Sequence, residues 1–171
     1  MLELVNIHKT FNLGTINEKK ALDGVNLRLD EGDFVTVIGG NGAGKSTVLN
    51  AIAGVWPIDT GNIIIDGQDV TGLPEHKRAA FLGRVFQDPM TALDPTMTIG
   101  AQIAEAVLAH RPKLEKSAVR ARVIELLELV GIDRAQERMA LYPHNFSGGM
   151  RQRVVLAIAL AGDPRILFAD E

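Results

Sequence analysis

Apolar residues alternate with polar ones at Leu2, Leu4 and Ile7, and again at Val25, Leu27 and Leu29 around Asn26 and Arg28. That period of two predicts strands with one covered face. Asp30-Glu31-Gly32-Asp33 then predicts a turn. Phe34 to Ile38 reads differently: a short apolar run rich in β-branched residues and bounded by turn signals, as expected of a strand covered on both faces in a parallel sheet. Val48 to Ala53 predicts a helix, and Pro57 and Gly61 punctuate the chain after it. Ile63-Ile64-Ile65 predicts a strand and Asp66-Gly67 a tight turn. Pro74 opens a short helix toward Leu82, and Arg84-Val85-Phe86 predicts another strand.

From Thr98 the period changes. Ile99, Ile103, Ala106 and Val107 recur at helical spacing, as do Val119, Val123, Leu126, Leu127 and Val130 before Gly131. A helical insert therefore occupies the middle of the chain and ends near Tyr142-Pro143. Ser147 then suits the cap of a helix running through Val154, Val155 and Ile158 to Gly162. Asp163-Pro164 breaks the pattern, and Ile166 to Ala169 is a second apolar strand that runs into Asp170-Glu171. No fixed-period repeat or low-complexity tract interrupts this order.

A length of 171 residues matches about one domain, and 46% hydrophobic with 23% charged residues is ordinary for a folded globular chain. A net charge of −3 supplies no overall basic field for nucleic acid or an anionic membrane surface, so nucleic acid is not an expected partner. The longest apolar stretch, Val154 to Gly162, is far short of the roughly 18 residues that span a bilayer. Met1 to Thr10 carries no basic segment followed by an apolar core, so no secretory signal is expected. Zero cysteines exclude disulfides, thiolate catalysis and cysteine-held metals, in agreement with a cytoplasmic address.

Between the Phe34 strand and the Val48 helix stands Gly39-Gly-Asn41-Gly42-Ala43-Gly44-Lys45-Ser46-Thr47, a G-x-x-x-x-G-K-[ST] loop. Its glycines let successive backbone N–H groups point inward, and the helix starting near Lys45 aims its positive end at the same spot. Lys45 is the expected partner of the β- and γ-phosphates and Ser46 of Mg²⁺. The alternative is a glycine-rich turn with one surface lysine, which does not account for the strand-loop-helix context. Arg165 to Glu171 places four apolar residues before two carboxylates, with Asp170 suited to holding Mg²⁺ and Glu171 to polarising an attacking water. In isolation the same pattern is a buried strand ending in a solvated acidic turn. Ser147-Gly148-Gly149 at a helix start is a second backbone anion site.

The stretch Asn145 to Arg153 resembles the signature motif of ATP-binding cassette (ABC) proteins, and essentially the whole chain is similar to an ABC nucleotide-binding domain. The resemblance implies an α/β fold: a P-loop NTPase (RecA-like) core with an N-terminal antiparallel β subdomain and a helical ABC-specific subdomain. Residues 1–95 and 151–171 would form the core and residues 96–150 the helical part. It implies ATP and Mg²⁺ as ligands, and a head-to-tail dimer, with itself or a related subunit, in which Ser147, Gly148 and Gly149 of one protomer meet the nucleotide held by the other. Gln87 matches the glutamine that senses Mg²⁺ and water at the γ-phosphate, and Phe11 the aromatic platform for adenine. A core phenylalanine remains the alternative for Phe11. His144 is expected to be structural, because the family's switch histidine lies beyond the Asp170-Glu171 pair. Arg151 and Arg153 are expected in intramolecular contacts or at the dimer interface.

Transmembrane permease subunits, a solute-binding protein and a peripheral position on the cytoplasmic face of the membrane are implied by the same resemblance. Its two halves differ. Phe11-Asn-Leu-Gly-Thr, Glu31 to Gly39 and Leu73 to Arg78 resemble an uncharacterised importer ATPase group. Gln87 to Thr96, Leu126 to Ile132 and Tyr142 to Val154 resemble dipeptide and oligopeptide importer ATPases. A hybrid and ordinary family drift both account for that split. The chain stops at Glu171, before the family's D-loop and switch histidine, so the isolated polypeptide is expected to be marginally stable, to leave the Asp170 strand short of a neighbour and to hydrolyse ATP poorly. Peptide uptake is the expected role. Uptake of amino acids or other small solutes, and a non-catalytic nucleotide-binding fragment, are the alternatives; a soluble ABC ATPase acting on DNA or ribosomes would carry a basic face or duplicated cassettes.

Overall fold

The computed structural model describes residues 1–85 and 92–169 and divides into two compact units, Met1–Ala79 and Ala80–Glu171. The fold is α/β. In the first unit, β1 (Leu2–Phe11) pairs antiparallel with β2 (Lys19–Leu29) on one side and β3 (Thr60–Ile65) on the other, and β4 (Gln68–Asp69) closes the order β2-β1-β3-β4. The alternation predicts β1 and β2 as strands, and the antiparallel N-terminal sheet is the one the family resemblance implies. Leu2, Leu4, Ile7, Leu22, Ile63 and Ile65 all lie buried in it. Helix α1 (Lys45–Ala53) brings Ala51 and Ile52 against Leu4, Leu22 and Ile63, so its apolar face and the sheet cover one another.

Asp59 fastens the approach to β3 onto β1. Its carboxylate accepts from the backbone N–H of Thr10 at 2.6 Å and from the Lys9 ammonium at 3.3 Å. Partial burial alone would raise its pKa, but the Thr10 N–H and the Lys9 charge outweigh it and hold the carboxyl below the usual range. A carboxylate with a depressed folded pKa stabilises above its unfolded value, near pH 4, and loses that contribution as pH falls through the folded value. Asp59→Asn is therefore expected to flatten the acid limb of the Tm-against-pH curve below about pH 4. An unchanged acid limb in thermal scans would show that the pair contributes nothing there.

Four sequence expectations need correction. Residues 33–40 belong to no ladder among the described residues, and Phe34 (93% exposed) and Ile38 (89%) face water. A two-face-covered strand needs hydrogen-bonded neighbours on both sides, and a local apolar run cannot supply them. The helix after Pro74 is a single turn, α2 (Glu75–Arg78), ended by the strand that starts at Leu82. That strand, β5 (Leu82–Val85), begins earlier than expected, and Phe86 lies outside the described residues. The helix after Ser147 stops at Leu160 rather than Gly162, where Asp163 at φ 50° turns the chain.

In the second unit, α3 (Ile99–His110), α4 (Lys116–Leu129), α5 (Ala135–Arg138) and α6 (Gly148–Leu160) surround one core. Ile99, Ile103 and Val107 of α3, Val123, Leu126 and Leu127 of α4, and Val154 of α6 are fully buried in it. Each such side chain contributes about 2 kcal/mol of burial. An exposed pair such as Arg134–Glu137, at 3.8 Å, contributes about 0.5 kcal/mol at most, so the apolar stripe and not the charges holds these helices together. Strand β6 (Ile166–Ala169) pairs parallel with β5, Leu82 opposite Ile166 and Val85 opposite Ala169. Asp163, in the turn leading to β6, is clamped by Arg111 at the end of α3 and Arg122 of α4.

Candidate functional site

The phosphate loop owes its shape to Gly44, which caps α1 at φ 91° and approaches Ala21 so closely that a Cβ would stand 2.7 Å from the Ala21 carbonyl. Only glycine meets both demands. The first bond of this turn runs from Val48 N–H to the Gly44 carbonyl at 2.9 Å, so the N–H groups of Lys45, Ser46 and Thr47 precede it at the positive end of α1. Lys45 Nζ donates to the carbonyls of Gly39 at 2.6 Å and Gly40 at 3.0 Å. An ammonium has three donors, so two fix its position over the loop and one remains for an anion.

The sequence places Asn41, Gly42, Ala43, Gly44, Lys45, Ser46 and Thr47 together, and in the structure all seven line a single concavity. Phe11 lines it too, at the end of β1. The ring meets Trp56 edge-on at 5.1 Å, and Lys9 Nζ stands 5.4 Å from its centroid, so the phenylalanine is held from two sides while still reaching the concavity. Gly39 contributes through its carbonyl to Lys45 rather than as a lining residue. Two lining residues escaped the sequence reading, Lys19 and Ala21 of β2. The cross-strand register that sets Lys19 opposite Phe11 is the signal that finds them.

Ser147 caps α6: its Oγ accepts from the Met150 N–H at 3.4 Å, and its carbonyl from Arg151 N–H at 2.9 Å. Ser147, Gly148 and Gly149 are exposed, so the N-terminal amides of a thirteen-residue helix face water. Buried Phe146 anchors the chain just ahead of them. His144 stacks on Tyr142 with centroids 5.6 Å apart and planes 8° from parallel. Arg153 donates to the Gly131 carbonyl at 2.9 Å, an intramolecular contact at the end of α4. Gln87, Asp170 and Glu171 lie outside the described residues. Among the described residues no group of three His, Cys, Asp or Glu side chains converges as a metal site, and no helix is long and apolar enough to cross a membrane.

A model of the ABC transporter family matches residues 22–171. The chain is 45% identical over 163 residues to the oligopeptide transport ATP-binding protein OppD of Bacillus subtilis (strain 168), covering 90% of this chain and 45% of that protein. Against the dipeptide transport ATP-binding protein DppD of the same strain it is 41% identical over 182 residues, covering 100% of this chain and 53% of DppD. The chain thus spans about half the length of these curated relatives. Among solved structures, the ATP-binding cassette MJ0796, seen as a dimer bound to ADP and Pi in a post-hydrolysis state, superposes with a TM-score of 0.81 at 32% identity, over 100% of this chain and 74% of that one. The cassette cbiO1 from Clostridium perfringens, part of the ABC transporter complex cbiONQ, does so with a TM-score of 0.85 at 27% identity, over 99% and 64%. With a phosphate loop of this geometry, a capped Ser-Gly-Gly helix and a family model that runs from Leu22 to Glu171, the chain belongs to the ABC transporter family.

Proposed function

We propose that this chain is the nucleotide-binding part of an importer ATPase subunit that binds ATP with Mg²⁺, hydrolyses it and powers solute uptake, peptides being the cargo, through separate transmembrane subunits. The observation that carries this reading is the single concavity shared by Phe11 and the loop from Asn41 to Thr47, which offers an aromatic face and a phosphate cradle side by side. Peptide cargo is supported by the relatives, whose names are those of oligopeptide and dipeptide transport proteins.

In this reading the amides ahead of Val48 and the free donor of Lys45 hold the β- and γ-phosphates, and Thr47 closes the loop behind them. Ser46 lines the same concavity as Lys45, and its hydroxyl is an oxygen donor of the kind a hard cation takes, so the site's chemistry fits Mg²⁺. Ser46, Gln87 and Asp170 would hold the ion, which neutralises charge on the phosphates. Glu171 orients and polarises the attacking water. Ser147, Gly148 and Gly149, exposed at the start of α6, close over the nucleotide of a second subunit, as the dimer of the related cassette suggests. Residues 1–95 with 151–171 serve as the core and 96–150 as the helical subdomain, and the segment from Gln87 to Asp94 faces the permease at the cytoplasmic face of the membrane. A solute-binding protein would deliver the cargo.

Calorimetric titration with MgATP is expected to give saturable binding, and light scattering in the same buffer a shift from monomer toward dimer. Absence of heat from a chain whose circular dichroism is native would sink the reading.

A further inference from the structure

A second cation overlooks the phosphate loop. Lys19 opens β2 directly across the ladder from Phe11, lines the same concavity, and brings its ammonium within 3.4 Å of where a Cβ on Gly42 would stand. The neighbouring lysines are engaged, Lys20 with Asp23 at 3.4 Å and Lys9 with Asp59 at 3.3 Å. Among the described residues no carboxylate pairs with Lys19, and no acidic side chain lines the concavity. Two ammonium groups and the positive end of α1 therefore converge on one space. Like charges brought together without a counter-charge repel, and a polyanion between them adds attractions to each that outweigh that repulsion.

The geometry points to Lys19 as a second phosphate-binding residue that grips the nucleotide's phosphate chain on the base side, while Lys45 takes the far end. The assignment rests on the nucleotide reading of the loop. Its position is set by the register: Lys19 is level with Phe11, the proposed base platform, and its amine reaches from there toward Gly42. A contact on that side meets phosphates that ATP and ADP share, so it adds affinity for both without distinguishing them.

Three variants test this by calorimetric titration of MgATP and MgADP at low salt. Lys19→Met is expected to weaken both nucleotides by about tenfold and to the same extent. Lys19→Arg, which keeps the charge, is expected to stay within about twofold of the unaltered chain. Lys20→Met makes the same change in net charge at a residue that does not line the concavity, and is expected to leave both affinities unchanged. Full affinity in Lys19→Met, or an equal loss in Lys20→Met, overturns the assignment. If Lys45→Met loses binding while Lys19→Met does not, the nucleotide site stands and Lys19 falls. If the unaltered chain binds neither nucleotide, both fall together.

Discussion

Replacing Lys45 with methionine is expected to weaken MgATP binding by about 100-fold, the equivalent of about 3 kcal/mol for a charge-assisted contact in a preformed cradle. The ammonium is already oriented by the Gly39 and Gly40 carbonyls, at 2.6 and 3.0 Å, so little side-chain freedom is lost when its third donor meets a phosphate oxygen. Methionine keeps the length and apolar character of the stem and removes only the charge and the donors. The fold should survive, because the buried face of α1 is Thr47, Ala51, Ile52 and Ala53 and does not include Lys45. Calorimetry with unchanged circular dichroism is the check, and undiminished affinity would remove Lys45 from the site.

The largest stability effect is expected at Arg78, which the sequence did not single out. The residue is 2% exposed and its guanidinium donates to four backbone carbonyls: Leu73 at 2.8 Å, Thr71 at 2.8 Å, Ala51 at 2.8 Å and Ile52 at 2.9 Å. The last two belong to the C-terminal turn of α1, where the Ala51 carbonyl also accepts from the Gly54 N–H at 3.2 Å, so Arg78 adds to the cap of the helix that carries the phosphate loop. Burial pulls its pKa down and the charge of Asp69 pulls it back up. Arg78→Met would leave four carbonyls without that donor and should cost about 3–5 kcal/mol in denaturant unfolding, enough to populate the unfolded first unit. By contrast, Lys20 and Asp23 are 60% and 64% exposed, and removing that pair should change stability by under about 0.5 kcal/mol. A midpoint for Arg78→Met close to that of the unaltered chain would show that water replaces the guanidinium freely.

Elements whose cause is local were legible in the chain. The alternation at Leu2, Leu4 and Ile7 becomes β1, the i, i+4 spacing of Ile99 and Ile103 becomes α3, and Ser147 caps α6 as its residue type predicts. The loop from Gly39 to Thr47 could be read because its residue types and spacing are contiguous in the chain, although the approach of Gly44 to Ala21 could not. Arg78 was hidden because its partners at Ala51 and Ile52 are 27 and 26 residues away, and nothing in an arginine after a proline announces burial. Lys19 was hidden by register: its nearness to the loop depends on how β2 lies against β1, which no single segment specifies. The misreading of Phe34 to Ile38 has the same origin, for hydrophobicity records what a segment tolerates as neighbours, and the ladder decides which neighbours it has.

That segment has a practical consequence. A strip of exposed apolar residues, Phe34, Val35, Val37 and Ile38, outside any ladder among the described residues, is a surface onto which another chain can add by dry side-chain contact. Concentrated samples should thus self-associate whether or not nucleotide is present, and a charged residue in place of Thr36 would act as a gatekeeper against that growth.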